Sequence, residues 1–199
     1  VGLDPAYVQD IDFNYEDFKA LLPHKKVVAI GEIGIDYYYY EKSDKQINTL
    51  VAQLDLALEF DLPVVLHCRG SKENPDDAFS DLYDILKERK NRGEVHSFTG
   101  SLEYAQKFID IGYYLGFNGI AIFDKTGNLK NILENIPQDK ILLETDAPYL
   151  APPPYRGKRN EPAYVQHVAD YVSDLLGLGY DDLVAKTTTN AQKLFKLTI

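Results

Sequence analysis

Apolar and polar positions along the chain follow two alternating periods. Short runs rich in β-branched and apolar residues, Val27 to Ile30, Val64 to Leu66, Val95 to Phe98, Tyr113 to Phe117 and Ile141 to Leu143, read as buried strands. Longer stretches between and after them place apolar residues at three-and-four spacing and read as helices with one apolar face. Those faces run from Ile47 to Leu58, Phe79 to Leu86, Tyr104 to Ile109 and Tyr164 to Leu176. Ser101, with Glu103 in the following turn, is the expected N-cap of the third helix. Strands alternating with helices predict βα units and a parallel sheet covered by helices.

Two α/β architectures fit that alternation, a doubly wound open sheet and a TIM barrel. The first usually carries a Gly-rich phosphate loop after an early strand, and no such loop is present. The barrel predicts polar functional residues at the C-terminal ends of several strands. Glu32 follows the first apolar run, His67 ends the second, His96 lies in the third, and Asp146 follows the fifth. The expectation is a TIM (β/α)8 barrel forming a single domain over residues 1–199.

In a parallel barrel all strands point the same way, so these residues converge on one mouth. Two imidazoles with a glutamate and an aspartate suit Zn²⁺, Mn²⁺ or Mg²⁺, as one ion or two. Each residue also has a plain alternative: a hydrogen-bonded structural histidine, a glutamate in an ion pair, an aspartate in a turn. Their recurrence at equivalent places in successive βα units favours the metal centre. The basic loop Arg156 to Arg159 either grips phosphate or is solvated. Tyr37 to Tyr40 either stack on bases or pack against neighbouring helices. Cys68 beside His67 is expected to be an inert interior thiol and not a nucleophile.

Composition narrows this only a little. The chain of 199 residues is 45% hydrophobic and 26% charged, an ordinary globular balance. A net charge of −10 argues against coating nucleic acid by bulk electrostatics but not against a nucleic-acid enzyme whose cations are metals. No apolar run approaches the roughly 20 residues that cross a bilayer, and the lone Cys68 fits a reducing compartment, so a cytoplasmic protein is expected. The chain opens on Val1 and contains no methionine. Only five strands can be read, where a closed barrel needs eight and about 250 residues, so about 50 or more residues are expected to precede Val1.

The motifs GEIGIDYY (Gly31 to Tyr38), PVVLHCR (Pro63 to Arg69), HSFTGS (His96 to Ser101), ETDAPYLAP (Glu144 to Pro152), RGKRNEP (Arg156 to Pro162) and TTTNAQKLF (Thr187 to Phe195) resemble, in order, those of the TatD-type hydrolases. The resemblance implies a (β/α)8 barrel related to the amidohydrolases and phosphotriesterases, with two divalent metals. It further implies 3′-to-5′ exonuclease activity on DNA, with a preference for single strands. By that resemblance Glu32 bridges the metals, His67 and His96 ligate one of them, and Asp146 binds the other together with the catalytic water. Asp146 and Glu32 are then the catalytic residues, and Arg69, Arg156, Arg159 and Asp4 are candidates to contact substrate.

Two departures matter. The His-x-His pair of the family's first strand occurs nowhere in the chain, which the expected upstream segment would explain. Asp4 and Ala6 stand where family members usually carry histidine, so substrate preference is open. Beside a DNase acting as a monomer, the sequence therefore keeps two rivals. One is an ester or amide hydrolase on the same site, such as an aminoacyl-tRNA deacylase or small-molecule amidohydrolase. The other is a binding protein with a degenerate metal site.

Overall fold

The computed structural model describes residues 1–197. Helix α1 (Tyr15–Leu21) precedes β1 (Ile30–Asp36), and α2 (Asp44–Glu59) leads to β2 (Val64–Arg69). Then come α3 (Asp77–Leu86), β3 (Gly93–Val95), α4 (Leu102–Asp110), β4 (Tyr114–Phe117), α5 (Gly119–Phe123), α6 (Asn128–Asn135), β5 (Ile141–Leu143), α7 (Val165–Leu176) and α8 (Tyr180–Phe195). The five strands pair in parallel in the order β1-β2-β3-β4-β5. That order never reverses, so the sheet has no switch point: it is the singly wound arrangement of a TIM barrel and not a doubly wound sheet.

β3 is buried along its length, whereas β2 alternates, with Val64, Leu66 and Cys68 buried and Val65, His67 and Arg69 partly exposed on the other face, as expected where helices cover one side of the sheet. Ile33, Ile35, Leu66, Val95, Leu115 and Ile141 belong to one core with Leu54 of α2, Phe79 of α3, Phe108 of α4 and Val172 of α7. Each such side chain contributes about 1.5–3 kcal/mol by leaving water. Residues 1–3 lie beside the start of β1: the Val1 amino group donates to the Ala29 carbonyl (3.2 Å) and the Gly31 N–H to the Val1 carbonyl (3.1 Å). Gln53 on α2 holds the same segment, accepting from the Leu3 N–H (2.7 Å) and donating to the Leu3 carbonyl (3.1 Å).

The structure moves some expected boundaries. β1 begins at Ile30 and runs through the Gly-Glu-Ile-Gly segment to Asp36, so Glu32 sits inside the strand and not after its end. Its side chain takes the opposite face from the buried Ile33 and Ile35, the face that also carries Asp36 and, on β2, His67. Ser101 has the extended backbone of an N-cap, but its hydroxyl makes no capping bond, and its N–H goes to Asp76. Helices α1, α5, α6 and α8 were not among those expected, although Leu129, Ile132 and Leu133 give α6 an apolar face at three-and-four spacing.

Candidate metal centre

Each donor is delivered by its own strand. Gly34 follows Glu32 at φ 152°, where any side chain would collide with the His67 carbonyl, so glycine lets β1 and β2 close up at this level. That closeness puts Glu32 Oε1 2.9 Å from His67 Nδ1. The other nitrogen of His67, Nε2, lies 3.0 Å from Asp36 Oδ2 at the end of β1. Asp36 is itself fixed: its Oδ1 accepts the N–H groups of Tyr38 and Tyr39, both at 2.9 Å, and Gln46 bonds its backbone on both sides.

His96 follows β3. Its Nδ1 lies 2.7 Å from Glu144 Oε2, and Glu144 Oε1 accepts the Ser97 N–H (2.7 Å) and the Asn118 amide (3.2 Å). Gly116 on β4 makes this possible, since a Cβ there would occupy the place of the Glu144 carboxylate. The outward nitrogen, His96 Nε2, is 3.7 Å from Glu32 Oε1 and 3.5 Å from Asp146 Oδ1. Ser97 and Asp146 hold left-handed backbone at φ 47° and 58°, strained positions beside the donors. The turn bearing Asp146 is secured by buried Asn160, whose amide donates to the carbonyls of Thr145 (2.7 Å) and Tyr149 (2.6 Å) and whose N–H donates to that of Pro148 (3.0 Å).

The electrostatics follow from carboxylates crowding two imidazoles in a half-buried site. Burial pulls the His67 imidazole down, but its bonds to Asp36 and Glu32 outweigh this and raise it to about 9. His96 is opposed by burial in the same way and is raised to about 11 by Asp146 and Glu144. Burial works to raise the carboxyls of Glu32 and Asp36, yet the His67 bond and charge hold both below their ordinary values. Glu94, on β3 two residues before His96, is pushed up by burial and by the nearby Glu144 carboxylate. Burial also pushes the Asp4 carboxyl up, against the bond from the Ala6 N–H.

Among the described residues, no three His, Cys, Asp or Glu donors already surround one point at metal-ligand distance. The donors bond to one another instead. Their chemistry nevertheless fits a cation. Each imidazole has one nitrogen held from behind by a carboxylate, Asp36 for His67 and Glu144 for His96, while the other faces Glu32. That is the carboxylate–histidine–metal arrangement, in which the rear carboxylate fixes ring orientation and strengthens the ligand. Carboxylates also outnumber imidazoles, so positive charge is in deficit.

Glu32, Asp36, His67, His96 and Asp146 line one cavity of about 780 Å³, together with Asp4, Arg69 and the exposed Tyr39 and Tyr149 at its rim. All four residues expected to hold metal are thus brought together. Arg69 joins them, its guanidinium 4.0 Å from the Tyr38 ring centre and 4.8 Å from that of Tyr39. Arg156 and Arg159 do not line this cavity. The Tyr155 ring stacks on Tyr164 (4.1 Å) at the entry to α7, which draws the basic loop aside and sets Arg156 over Phe123 at 4.5 Å. Tyr37 packs inward and donates to Asp81 (2.8 Å), whereas Tyr39 is 66% exposed. Cys68 is buried, and burial pushes its thiol well up, away from nucleophilic use. Sequence reasoning missed Asp36, Glu94, Asn118 and Asn160, and gave Glu144 no role. The signal for Asp36 and Asn160 was their presence inside two of the motifs.

The model of the family described as TatD related DNase matches residues 1–196. A protein of Bacillus subtilis named uncharacterized metal-dependent hydrolase YabD is 41% identical over 99% of this chain and 76% of its own length. One from Citrobacter rodentium named 3′-5′ ssDNA/RNA exonuclease TatD is 35% identical over 92% of this chain and 71% of its own. The crystal structure of YJJV, a TatD homolog from Escherichia coli, superposes with a TM-score of 0.82 at 29% identity, over 100% of this chain and 76% of that one. No helix among the described residues is long and apolar enough to cross a membrane.

Proposed function

Because the chain belongs to the TatD-related DNase family, whose relatives are named metal-dependent hydrolases, we propose that it hydrolyses DNA phosphodiester bonds as a 3′-to-5′ exonuclease on single strands. The observation that carries this reading is the shared orientation of His67 Nδ1 and His96 Nε2 toward Glu32, with Asp146 beside the second imidazole. Glu32, His67, His96 and Asp146 would hold two divalent ions, Mg²⁺, Mn²⁺ or Zn²⁺. Such ions supply Lewis acidity at the phosphoryl oxygens and make water a usable nucleophile near neutral pH.

The side chains do the rest. Glu32 stands between the imidazoles and sets the spacing of the donors. Asp146, held in its turn by Asn160, orients the attacking water and takes its proton. Arg69, steadied by the Tyr38 and Tyr39 rings, neutralises charge on the phosphate. Arg156 and Arg159 act farther out, on phosphates of the strand that extends beyond the cavity. Asp4 forms the wall where family members usually carry histidine, and it favours a second reading, hydrolysis of an ester or amide at the same centre. We place the protein in the cytoplasm as a monomeric single-domain enzyme.

The test is a substrate panel of 3′-labelled and 5′-labelled single-stranded DNA, aminoacyl-tRNA and aryl amides, each with Mg²⁺, Mn²⁺ or Zn²⁺. Stepwise loss from the 3′ end of DNA is expected. Turnover of aminoacyl-tRNA or amide with intact DNA overturns the nuclease assignment in favour of the second reading.

A further inference from the structure

We infer that a second cavity, adjoining the metal centre between β3, α5, α6 and the loop after β5, is a subsite for the nucleobase next to the scissile phosphate. The inference rests on the phosphodiesterase reading, which it deepens by saying what part of the nucleotide is recognised. The cavity measures about 380 Å³ and shares Thr99, Ile120 and Leu150 with the metal-centre cavity, so one ligand can occupy both without crossing solvent. That volume lies within the range of small-molecule sites.

Its walls match a flat, weakly polar ring. Ile120, Phe123, Leu129 and Leu150 supply apolar surface. Of the polar lining groups, Asp124, Thr126 and Asn128 are engaged within the protein. Asp124 Oδ1 accepts from the Thr126 N–H (2.8 Å) and hydroxyl (2.6 Å), and its Oδ2 accepts the Leu129 N–H (2.8 Å). The Asn128 amide donates to the Gly100 carbonyl (2.9 Å), tying the start of α6 to the loop after β3. These bonds hold the walls in place before any ligand arrives, which lowers the cost of ordering on binding.

Charge sets the ligand's direction. Among the described residues Asp124 is the only charged one lining this cavity, and an anion there repels phosphate, so the phosphate stays on the metal side and the base enters this cavity. At the rim Arg156 lies over the Phe123 ring at 4.5 Å, a planar cation in position to extend the stack or meet the next phosphate. A peptide segment or an amino-acid side chain would meet the same apolar walls, but neither provides the phosphate that continuity with the metal centre calls for.

The test is calorimetric titration of the Mg²⁺-loaded protein with deoxyadenosine 5′-monophosphate, 2-deoxyribose 5-phosphate and leucinamide. Base stacking should make the nucleotide bind about tenfold more tightly than the sugar phosphate. Ile120→Trp, which fills the cavity, and Phe123→Ala, which removes its floor, should each bring that ratio close to one. Two variants with opposite changes in volume guard against misfolding of either. Equal binding of nucleotide and sugar phosphate by the unmodified protein, an unaltered ratio in both variants, or preference for leucinamide overturns the subsite. A nucleotide preference in a protein that cleaves no DNA leaves the subsite standing and removes the nuclease reading, so the two failures are told apart.

Discussion

Glu144 holds His96 and Ser97 at once, one carboxylate oxygen 2.7 Å from the imidazole Nδ1 and the other 2.7 Å from the Ser97 N–H. Both bonds require an acceptor, so only a carboxylate satisfies both. In Glu144→Gln one oxygen becomes an NH₂ group, and either the imidazole or the strained Ser97 backbone loses its partner. Metal affinity should fall about 10- to 100-fold. Competition with a fluorescent chelator measures it, and an unchanged affinity would remove Glu144 from the metal-orienting role.

Asp146→Asn should keep the fold, because asparagine tolerates the left-handed backbone that residue 146 adopts at φ 58°. It cannot accept a proton from water. kcat on single-stranded DNA should fall about 10²- to 10⁴-fold with the melting temperature nearly unmoved. Full activity in metal-replete buffer would assign the proton to another group.

The imidazoles make metal-free stability depend on pH. Folded His67 titrates at about 9 and His96 at about 11, both above the ordinary value of 6.5. Above pH 6.5 the folded chain therefore binds more protons than the unfolded one. The stabilisation from these two groups is complete below pH 6.5 and is lost as pH rises through 9 and then 11. In EDTA the melting temperature should decline over that span. Added Mg²⁺ or Mn²⁺ should offset the decline and, at pH 7, release protons on the order of one or two per chain, visible in calorimetry across buffers of different ionisation enthalpy. A flat EDTA profile would contradict the charge state assigned to the site.

Asn160→Ala leaves the carbonyls of Thr145 and Tyr149 without their donor in a part-exposed turn that the buried Asn160 side chain ties down. Urea denaturation should show a loss of about 2 kcal/mol. The turn also carries Asp146, so kcat should fall while KM for DNA changes less. A loss of stability alone would make Asn160 a structural residue with no positioning role.

Much of this was legible beforehand, and the exceptions have physical causes. Strands such as Ile141–Leu143 and helices such as α2 follow from apolar periodicity, because there the buried positions are apolar. α8 escaped that test: its buried face reads Leu183, Thr187, Asn190, Leu194. Thr187 bonds the Leu183 carbonyl (3.1 Å), and the Asn190 amide bonds the carbonyls of Gln138 (2.9 Å) and Ile141 (2.8 Å), so polar residues fill core positions. In the site, Glu32, His67, His96 and Asp146 were readable as donors following apolar runs. Asp36, Asn118 and Asn160 were not, since their work is to hold other residues, and partners 31, 26 and 15 positions apart in sequence leave no local pattern.

The unbroken strand order turns position along the chain into an angular coordinate around the mouth. Glu32, His67, His96 and then Glu144 with Asp146 come round it in sequence, each sector hung from its own strand and followed by its own loop. An insertion after Phe117 would remodel the sector of Ile120 and Phe123 while the sectors of Glu32 and His67 keep their geometry. Ligand choice and ion-holding can therefore diverge separately in such a protein, which gives a protein engineer discrete addresses at which to change one and spare the other.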